Sequence, residues 1–129
     1  MEKYQFLNAE HKKTFQELRE QLADHYRFDK EYLTICFMMA GCAELQHKMS
    51  KYFDGVEGNL LSEEMFHEQD FSSGIHVLAK LAINLFNNNE KVSPSEFISS
   101  LDDELFNLAV NSILFRKYGI SRDYAIGSE

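Results

Sequence analysis

The stretch from Ser72 to Phe86, SSGIHVLAKLAINLF, constrains the fold more than any other part of the chain. On a helical wheel, apolar side chains occupy roughly two-thirds of the circumference over this range. The polar side chains form one narrow stripe, which consists of His76, Lys80, Asn84 and Asn87. A surface helix normally has an apolar arc of a little over 100°. The pattern therefore predicts a central helix over 72–86 that other helices contact on most sides.

Capping signals divide the rest of the chain into shorter helices. Asn8 and Asp29 are typical N-caps, and Ser93-Pro94-Ser95-Glu96 combines a capping box with proline at the first helical position. The run Asn87-Asn88-Asn89 is expected to end the central helix, because asparagine tolerates the left-handed conformation of a C-cap. Further helices are predicted at about 30–40, 43–53 and 103–117, after Asn8, and as short pieces after Ser62 and Ser93.

The last predicted helix, at about 103–117, has apolar residues at helical spacing. Asp102 is expected to cap its start, and Gly119 to end it. The face predicted to lie against the core consists of Phe106, Ala109, Val110 and Ile113, flanked by Leu105 and Leu108.

Composition predicts an all-α fold, a single-domain bundle of about six helices around the helix at 72–86. The 129 residues suffice for one core, and one proline and six glycines are too few for a loop-rich β-sandwich. We expect one domain at 1–119 and a loose tail at 120–129. No apolar stretch reaches 18 residues, so no membrane span is expected. Two cysteines and an N-terminus unlike a signal peptide predict a cytoplasmic protein.

Charge is distributed unevenly along the chain. The formal net charge is −8, and all of the excess lies in residues 52–129, which contain thirteen acidic and five basic residues. Residues 54–70 contain six acids and neither lysine nor arginine. Such a chain repels phosphates and anionic membranes, so neither nucleic acid nor a membrane is expected as a partner.

The acidic stretch from Asp54 to Asp70 is the first candidate for a binding site. Apolar residues alternate with acids there, on a segment predicted to be irregular and mobile. This composition suits docking to a basic groove of a protein partner. The alternative is a solvated loop packed over the core. The candidate partner-binding residues are Glu57, Glu63, Glu64, Phe66, Glu68 and Asp70.

A repeated Glu-x-x-His pattern is the second candidate. Glu44 with His47, and Glu64 with His67, each place a carboxylate and an imidazole on one helical face, as in di-iron bundles. The two pairs lie only 20 residues apart, and the second falls on a short predicted helix. The alternative is surface polar residues, and our principal interpretation includes no metal and no cofactor.

Single histidine and cysteine residues offer weaker candidates. His11 falls on the apolar stripe of the first helix, where a buried, hydrogen-bonded imidazole is expected. Cys42 lies at a predicted helix start, where amide dipoles lower a thiol pKa and favour a nucleophile. The alternative is a small, partly buried residue. Cys36 is expected in the core.

The order of several short motifs resembles an uncharacterised family, a domain of unknown function in low-GC Gram-positive bacteria and their phages and prophages. The residues that carry the resemblance are FLNAEHK at 6–12, AG with Leu45 and YFD at 40–54, FSSG with LAINLFN at 71–87, and SP…F…LD…F…LA at 93–109. The resemblance implies no activity or cofactor. It implies a phage or mobile-element setting, which favours a host-directed binding role.

Two functions of different classes remain open from the sequence. The first is a non-enzymatic interaction module that binds a protein partner through an acidic face. The second is a small metal-dependent enzyme that uses Glu44, His47, Glu64 and His67. Self-association is a further possibility, because seventeen phenylalanines and tyrosines are many for one core to bury.

Overall fold

The structure, a computed structural model, describes residues 3–121 and confirms the predicted all-α fold. The predicted tail at 120–129 lies outside the described residues from position 122 onward. Seven α-helices and one two-stranded hairpin form within residues 3–121. The helices are α1 (Ala9–Glu20), α2 (Lys30–Gly41), α3 (Ala43–Met49), α4 (Ser62–Glu68), α5 (Ser73–Asn87), α6 (Pro94–Ser100) and α7 (Asp103–Tyr118); the strands are β1 (Phe53–Asp54) and β2 (Asn59–Leu60).

The predicted capping residues begin and end these helices. The side chain of Asn8 accepts a hydrogen bond from the backbone N–H of His11 at 2.8 Å, and Asp102 accepts one from Leu105 at 2.9 Å. Glu96 completes the capping box of α6 by accepting from the N–H of Ser93 at 2.9 Å. Asn88 ends α5 with φ of 64°. Local sequence therefore determines these boundaries, since the caps of α1, α6 and α7 satisfy otherwise unpaired backbone groups.

Two helices share the centre of the bundle. α5 is buried along most of its length, as the apolar pattern at 72–86 predicts, and it contacts α2, α3, α6 and α7. α2 is also enclosed, because every residue from Leu33 to Met39 is buried and the helix contacts α1, α3, α5 and α7. The core therefore lies around both helices.

Aromatic rings fill the space between α1, α2 and α7. Phe37 of α2 stacks on Phe115 of α7 with ring centroids 4.7 Å apart, and Phe15 of α1 meets Phe115 edge-on at 5.4 Å. Tyr4 and Phe6, which precede α1, pack on the same group. Part of the aromatic surplus that suggested self-association is therefore used in this cluster.

The packing of α7 contradicts the predicted core face. Phe106, Val110 and Ile113 remain 38%, 37% and 41% exposed. Of the residues predicted to face the core, Ala109 is buried, together with the flanking Leu108. The buried side of α7 consists of Leu108, Ala109, Asn111, Ser112 and Phe115.

Close helix packing and local hydrogen bonds explain which side of α7 is buried. A Cβ added to Gly41 would lie 2.5 Å from Leu108 Cδ1, so the absence of a side chain there lets Leu108 approach α2. Asn111 accepts a hydrogen bond from the backbone N–H of Gln5 at 2.7 Å. Ser112 donates to the carbonyl of Leu108 at 2.7 Å. Because these polar groups are paired, their burial is tolerated.

The region after α3 differs from the predicted helix at 43–53. α3 ends at Met49, a 3-10 turn covers Ser50–Tyr52, and Phe53 begins the hairpin. No strand was predicted, because two residues are too few to show alternation. Within the described residues, no helix has both the length and the apolar character needed to cross a membrane.

Candidate functional site

The acidic stretch is an ordered hairpin followed by a helix. β1 pairs antiparallel with β2, and the carboxylate of Asp54 accepts hydrogen bonds from the N–H groups of Val56 and Glu57 at 2.9 and 3.0 Å. Those two bonds lower the pKa of Asp54. Gly58 closes the turn with φ of +86°, a conformation that a side chain would strain. The segment predicted to be mobile therefore has a defined conformation.

Tyrosines attach the hairpin to the bundle. Tyr26 and Tyr32 stack with centroids 3.8 Å apart, and the hydroxyl of Tyr32 donates to the carbonyl of Gly58 at 3.1 Å. Burial of this hydroxyl, followed by the contact with Tyr26, raises the pKa of Tyr32 to about 12. Because the hydroxyl stays protonated at ordinary pH, it remains a donor to the turn.

α4 presents its acids to solvent while its apolar side packs on the bundle. Met65 is fully buried, whereas Glu63, Glu64 and His67 are exposed. Phe66 is half-buried against Phe71, with ring centroids 5.9 Å apart. Of the predicted partner-binding residues, Phe66 is therefore largely a packing residue, and Glu63 and Glu64 are accessible.

Two other predicted binding residues already have partners within the fold. Glu68 accepts a hydrogen bond from the hydroxyl of Tyr52 at 2.6 Å. The backbone carbonyl of Asp70 accepts from the ammonium of Lys48, which also pairs with Glu44 at 2.9 Å. The carboxylate of Glu68 thus holds α4 against the turn that follows α3, whereas Asp70 is held only through its backbone and its side chain stays exposed.

A surface groove brings a further acid to the predicted face. It has a volume of about 530 Å³ and lies between the start of α4 and the turn after α5. Glu90 was missed by sequence reasoning, because only the reversal of the chain at Asn88 places it beside α4. We call this site the acidic groove; its lining residues are Leu60, Leu61, Ser62, Glu63, Glu64, Asn89 and Glu90.

The charged side chains that line the acidic groove are all acidic. Its lining contains no lysine, arginine or histidine. Four ion pairs occur among residues 3–121, and none of them includes Glu63, Glu64 or Glu90. Leu61 beside them is 48% exposed. The groove therefore combines uncompensated negative charge with accessible apolar surface.

The two Glu-x-x-His pairs do not form a metal centre in the described part of the chain. Residues 3–121 contain no group of three or more histidine, cysteine, aspartate or glutamate side chains placed to hold a metal. Glu44 instead pairs with Lys48, and His47 faces solvent on α3. Glu64 and His67 lie together on the exposed side of α4. The geometry thus gives the alternative of a metal-dependent enzyme no support.

His11 is a buried structural residue, as expected. Its Nδ1 accepts from the N–H of Leu7 at 2.9 Å, so the neutral ring donates through Nε2 to the carbonyl of Phe37 at 2.8 Å. Burial lowers the pKa of His11, and the bond to Phe37 opposes this effect more weakly. Because both nitrogens are already paired within the core, His11 is not available as a general base for a bound substrate.

The cysteines are not activated. Burial raises the pKa of Cys42 even though its thiol lies near the amides of Glu44 and Leu45 at the start of α3. Burial also raises the pKa of Cys36 to about 12. Cys36 lines the floor of a cavity of about 360 Å³ between α1 and the hairpin. Neither residue has the lowered pKa of a nucleophilic thiol, which favours the alternative that Cys42 is a small, partly buried residue.

Fold and site together define an all-helical protein with an acidic surface groove. The model of a family of unknown function, DUF6075, matches residues 1–123 of this chain. The chain therefore belongs to that family. Searches of curated proteins and of solved structures found no match.

Proposed function

We propose that this chain is a non-enzymatic interaction module that binds a basic surface of a protein partner through the acidic groove. One observation carries the proposal. Glu63, Glu64 and Glu90 converge from two separate segments onto one groove, and no ion pair in the described chain neutralises them.

Like charges on a shared surface repel one another, and a cationic partner relieves that repulsion. The attraction also accelerates encounter, an effect that rising salt suppresses. Exposed apolar residues supply the contact that charge alone does not provide. Leu61, which lines the groove together with Leu60, is 48% exposed. A partner with lysine or arginine next to an apolar side chain fits this surface.

The hairpin and the packing of α4 support the same proposal. Met65 is buried and the carbonyl of Gly58 accepts a hydrogen bond from Tyr32, so contacts within the fold hold α4 and the hairpin in place. A pre-ordered surface loses less conformational entropy on binding than a mobile loop does. The segment thus suits recognition better than the mobile loop expected from its sequence.

The setting is part of the proposal. We infer a phage, prophage or other mobile-element context and a cytoplasmic location. The motif order at 6–12 and 71–87 supports the context through its resemblance to proteins of that origin. Two free cysteines support a reducing compartment. The neighbouring genes test the context, and a replication, lysis or defence cassette around this gene is the expected finding.

Charge reversal tests the acidic groove. The variant Glu63→Lys/Glu64→Lys/Glu90→Lys is compared with Glu10→Lys/Glu17→Lys/Glu20→Lys, which changes net charge equally on the exposed side of α1. The two sets match in net charge but not in helix position, since Glu63 and Glu64 both lie in the first turn of α4, whereas only Glu10 of the control set lies in the first turn of α1. Glu68 is left unchanged because it holds Tyr52.

Affinity capture from host lysate, followed by measurement of affinity for the purified partner, gives the outcome. The groove variant should lose at least about tenfold in affinity, and the α1 variant should bind like the parent. Higher salt should weaken parental binding. Equal binding by both variants would show that the acidic groove is not the binding surface.

A further inference from the structure

The exposed side of α7 carries a regular apolar stripe. Phe106, Val110 and Ile113 follow one another at spacings of four and three residues, and each is about two-fifths exposed. Alternating spacings of three and four place residues in one line along a helix, as in the seam between two packed helices. The opposite side of α7 is already occupied by α2, α5 and α6.

A charged residue extends the apolar stripe at each end. Asp103 lies three residues before Phe106, and Lys117 lies four residues after Ile113. Both side chains belong to exposed residues, and neither takes part in an ion pair within residues 3–121. Acids at a helix start and bases at its end also favour the helix dipole. That effect does not require both charges to lie on the exposed apolar stripe.

We propose that α7 pairs antiparallel with α7 of a second copy of this chain. Val110 lies seven residues from both Asp103 and Lys117, so a two-fold axis at Val110 makes the stripe complementary to itself. Asp103 of each copy then lies opposite Lys117 of the other. Phe106 and Ile113 pack across the axis and lose their exposure to water.

Charge selects the second copy and its orientation. A parallel pair would place Asp103 against Asp103 and Lys117 against Lys117, which is repulsive at both ends. In an antiparallel pair, Asp103 of each copy lies opposite Lys117 of the other, so the charges attract at both ends. The helix that packs on this stripe therefore needs its own apolar stripe, with opposite charges at the same distances from its centre. The α7 helix of a second copy has both.

The length of the stripe sets the strength of the pairing. α7 has 16 residues and is therefore about 24 Å long. A contact of this length along one helix is smaller than the roughly 800 Å² per partner of a standard interface. The dimer should accordingly be weak, so that it dissociates on dilution.

Sedimentation equilibrium over a wide concentration range tests the pairing. The parent should move from monomer to dimer as concentration rises. Val110→Glu places two carboxylates at the axis and should remove the dimer at every concentration tested. Val56→Glu is the matched control, because it makes the same change at an exposed valine on the hairpin. Circular dichroism should show parental helix content in both variants.

A charge exchange tests the orientation. Lys117→Glu alone places acid opposite Asp103 twice and should weaken dimerisation by roughly 2- to 30-fold, the range for two exposed ion pairs. Asp103→Lys/Lys117→Glu exchanges both charges and should restore most of that loss. The restoration distinguishes a defined antiparallel contact from nonspecific association.

Three outcomes would overturn the proposal. One is a parent that stays monomeric at every concentration, and another is a dimer that Val110→Glu leaves intact or that Val56→Glu disrupts equally. The third is a charge exchange that weakens association further, which would exclude the antiparallel arrangement. The pairing shares no residue with the acidic groove, so its failure and that of the proposed function are separate results.

Discussion

α5 and α7 are the two longest helices in the described part of the chain. The apolar pattern of the sequence predicts the buried side of α5 but not that of α7. In α5 most apolar side chains are buried, and the polar residues His76 and Asn87 face solvent. In α7 three large apolar side chains face solvent, while Asn111 and Ser112 are buried. Both helices lie against α2.

The comparison shows when a hydrophobic pattern determines the buried side. α5 has one narrow polar stripe, and only one rotation of the helix leaves that stripe in water. α7 has apolar residues all round its axis, so several rotations bury similar areas. Its orientation then depends on close packing against Gly41 and on hydrogen bonds that satisfy Asn111. Four experiments test this difference, from the largest expected effect to the smallest.

Truncation of one residue in each helix should produce the largest contrast. Leu78 in α5 is fully buried, and Leu78→Ala should lower the free energy of unfolding by about 2 to 5 kcal/mol. Ile113→Ala in α7 should change it by less than about 1 kcal/mol. Urea unfolding at low protein concentration measures both. Equal losses would show that the apolar stripe of α7 is buried and that the comparison is wrong.

A methyl group at Gly41 tests the buried side of α7 directly. Gly41→Ala forces Leu108 away from α2 and should cost about 1 to 2 kcal/mol, even though alanine favours the helix. In a Leu108→Ala background, the same change should cost less, because only the contact of the added Cβ with His11 Nε2 remains. Urea unfolding of the four proteins gives the coupling energy. Additive effects would mean that Leu108 does not pack against Gly41.

Lowering the pH should weaken the packing around His11. This residue lies next to Gly41, since a Cβ added at Gly41 would be 3.1 Å from His11 Nε2. The pKa of His11 is lowered in the folded protein, so below pH 6.5 the unfolded chain binds a proton that the folded chain rejects. Stability should fall with pH from that point, by up to about 1.4 kcal/mol per pH unit, until the lowered folded pKa is reached.

The variant His11→Gln isolates this contribution, because glutamine retains hydrogen-bonding groups and does not titrate. Thermal unfolding between pH 7 and pH 5 should show a smaller decrease for the variant than for the parent. If parent and variant lose stability in parallel, the pH dependence arises elsewhere in the chain.

The smallest expected effect lies at the end of α5. Asn88 has a left-handed backbone, so Asn88→Ala should cost about 1 kcal/mol, whereas Asn88→Gly should change stability by a few tenths of a kcal/mol. Thermal unfolding of the two variants measures the difference. Equal values would show that the end of α5 does not depend on this conformation. The conformation of Asn88 would then no longer explain why Glu90 lies in the acidic groove.

Sequence reasoning located most elements and only part of the candidate site. The caps Asn8, Asp102 and Asn88 were predicted because capping depends on residues within one turn of each other. Glu63 and Glu64 were predicted to bind a partner, and both are exposed to solvent. Glu90 was missed because it joins them through a turn about 26 residues later in the chain. Phe66 was predicted as a binding residue, but it packs on Phe71.

The amino-acid sequence by itself determined that the chain is helical, where most of its helices begin and end, and which helix is apolar on nearly every side. These properties depend on contacts within a few residues, so local chemistry suffices to set them. Tertiary structure alone decided which side of α7 is buried and which acids share a groove. Those outcomes depend on the fit between distant surfaces, where Gly41 admits Leu108 and the turn at Asn88 brings Glu90 to α4.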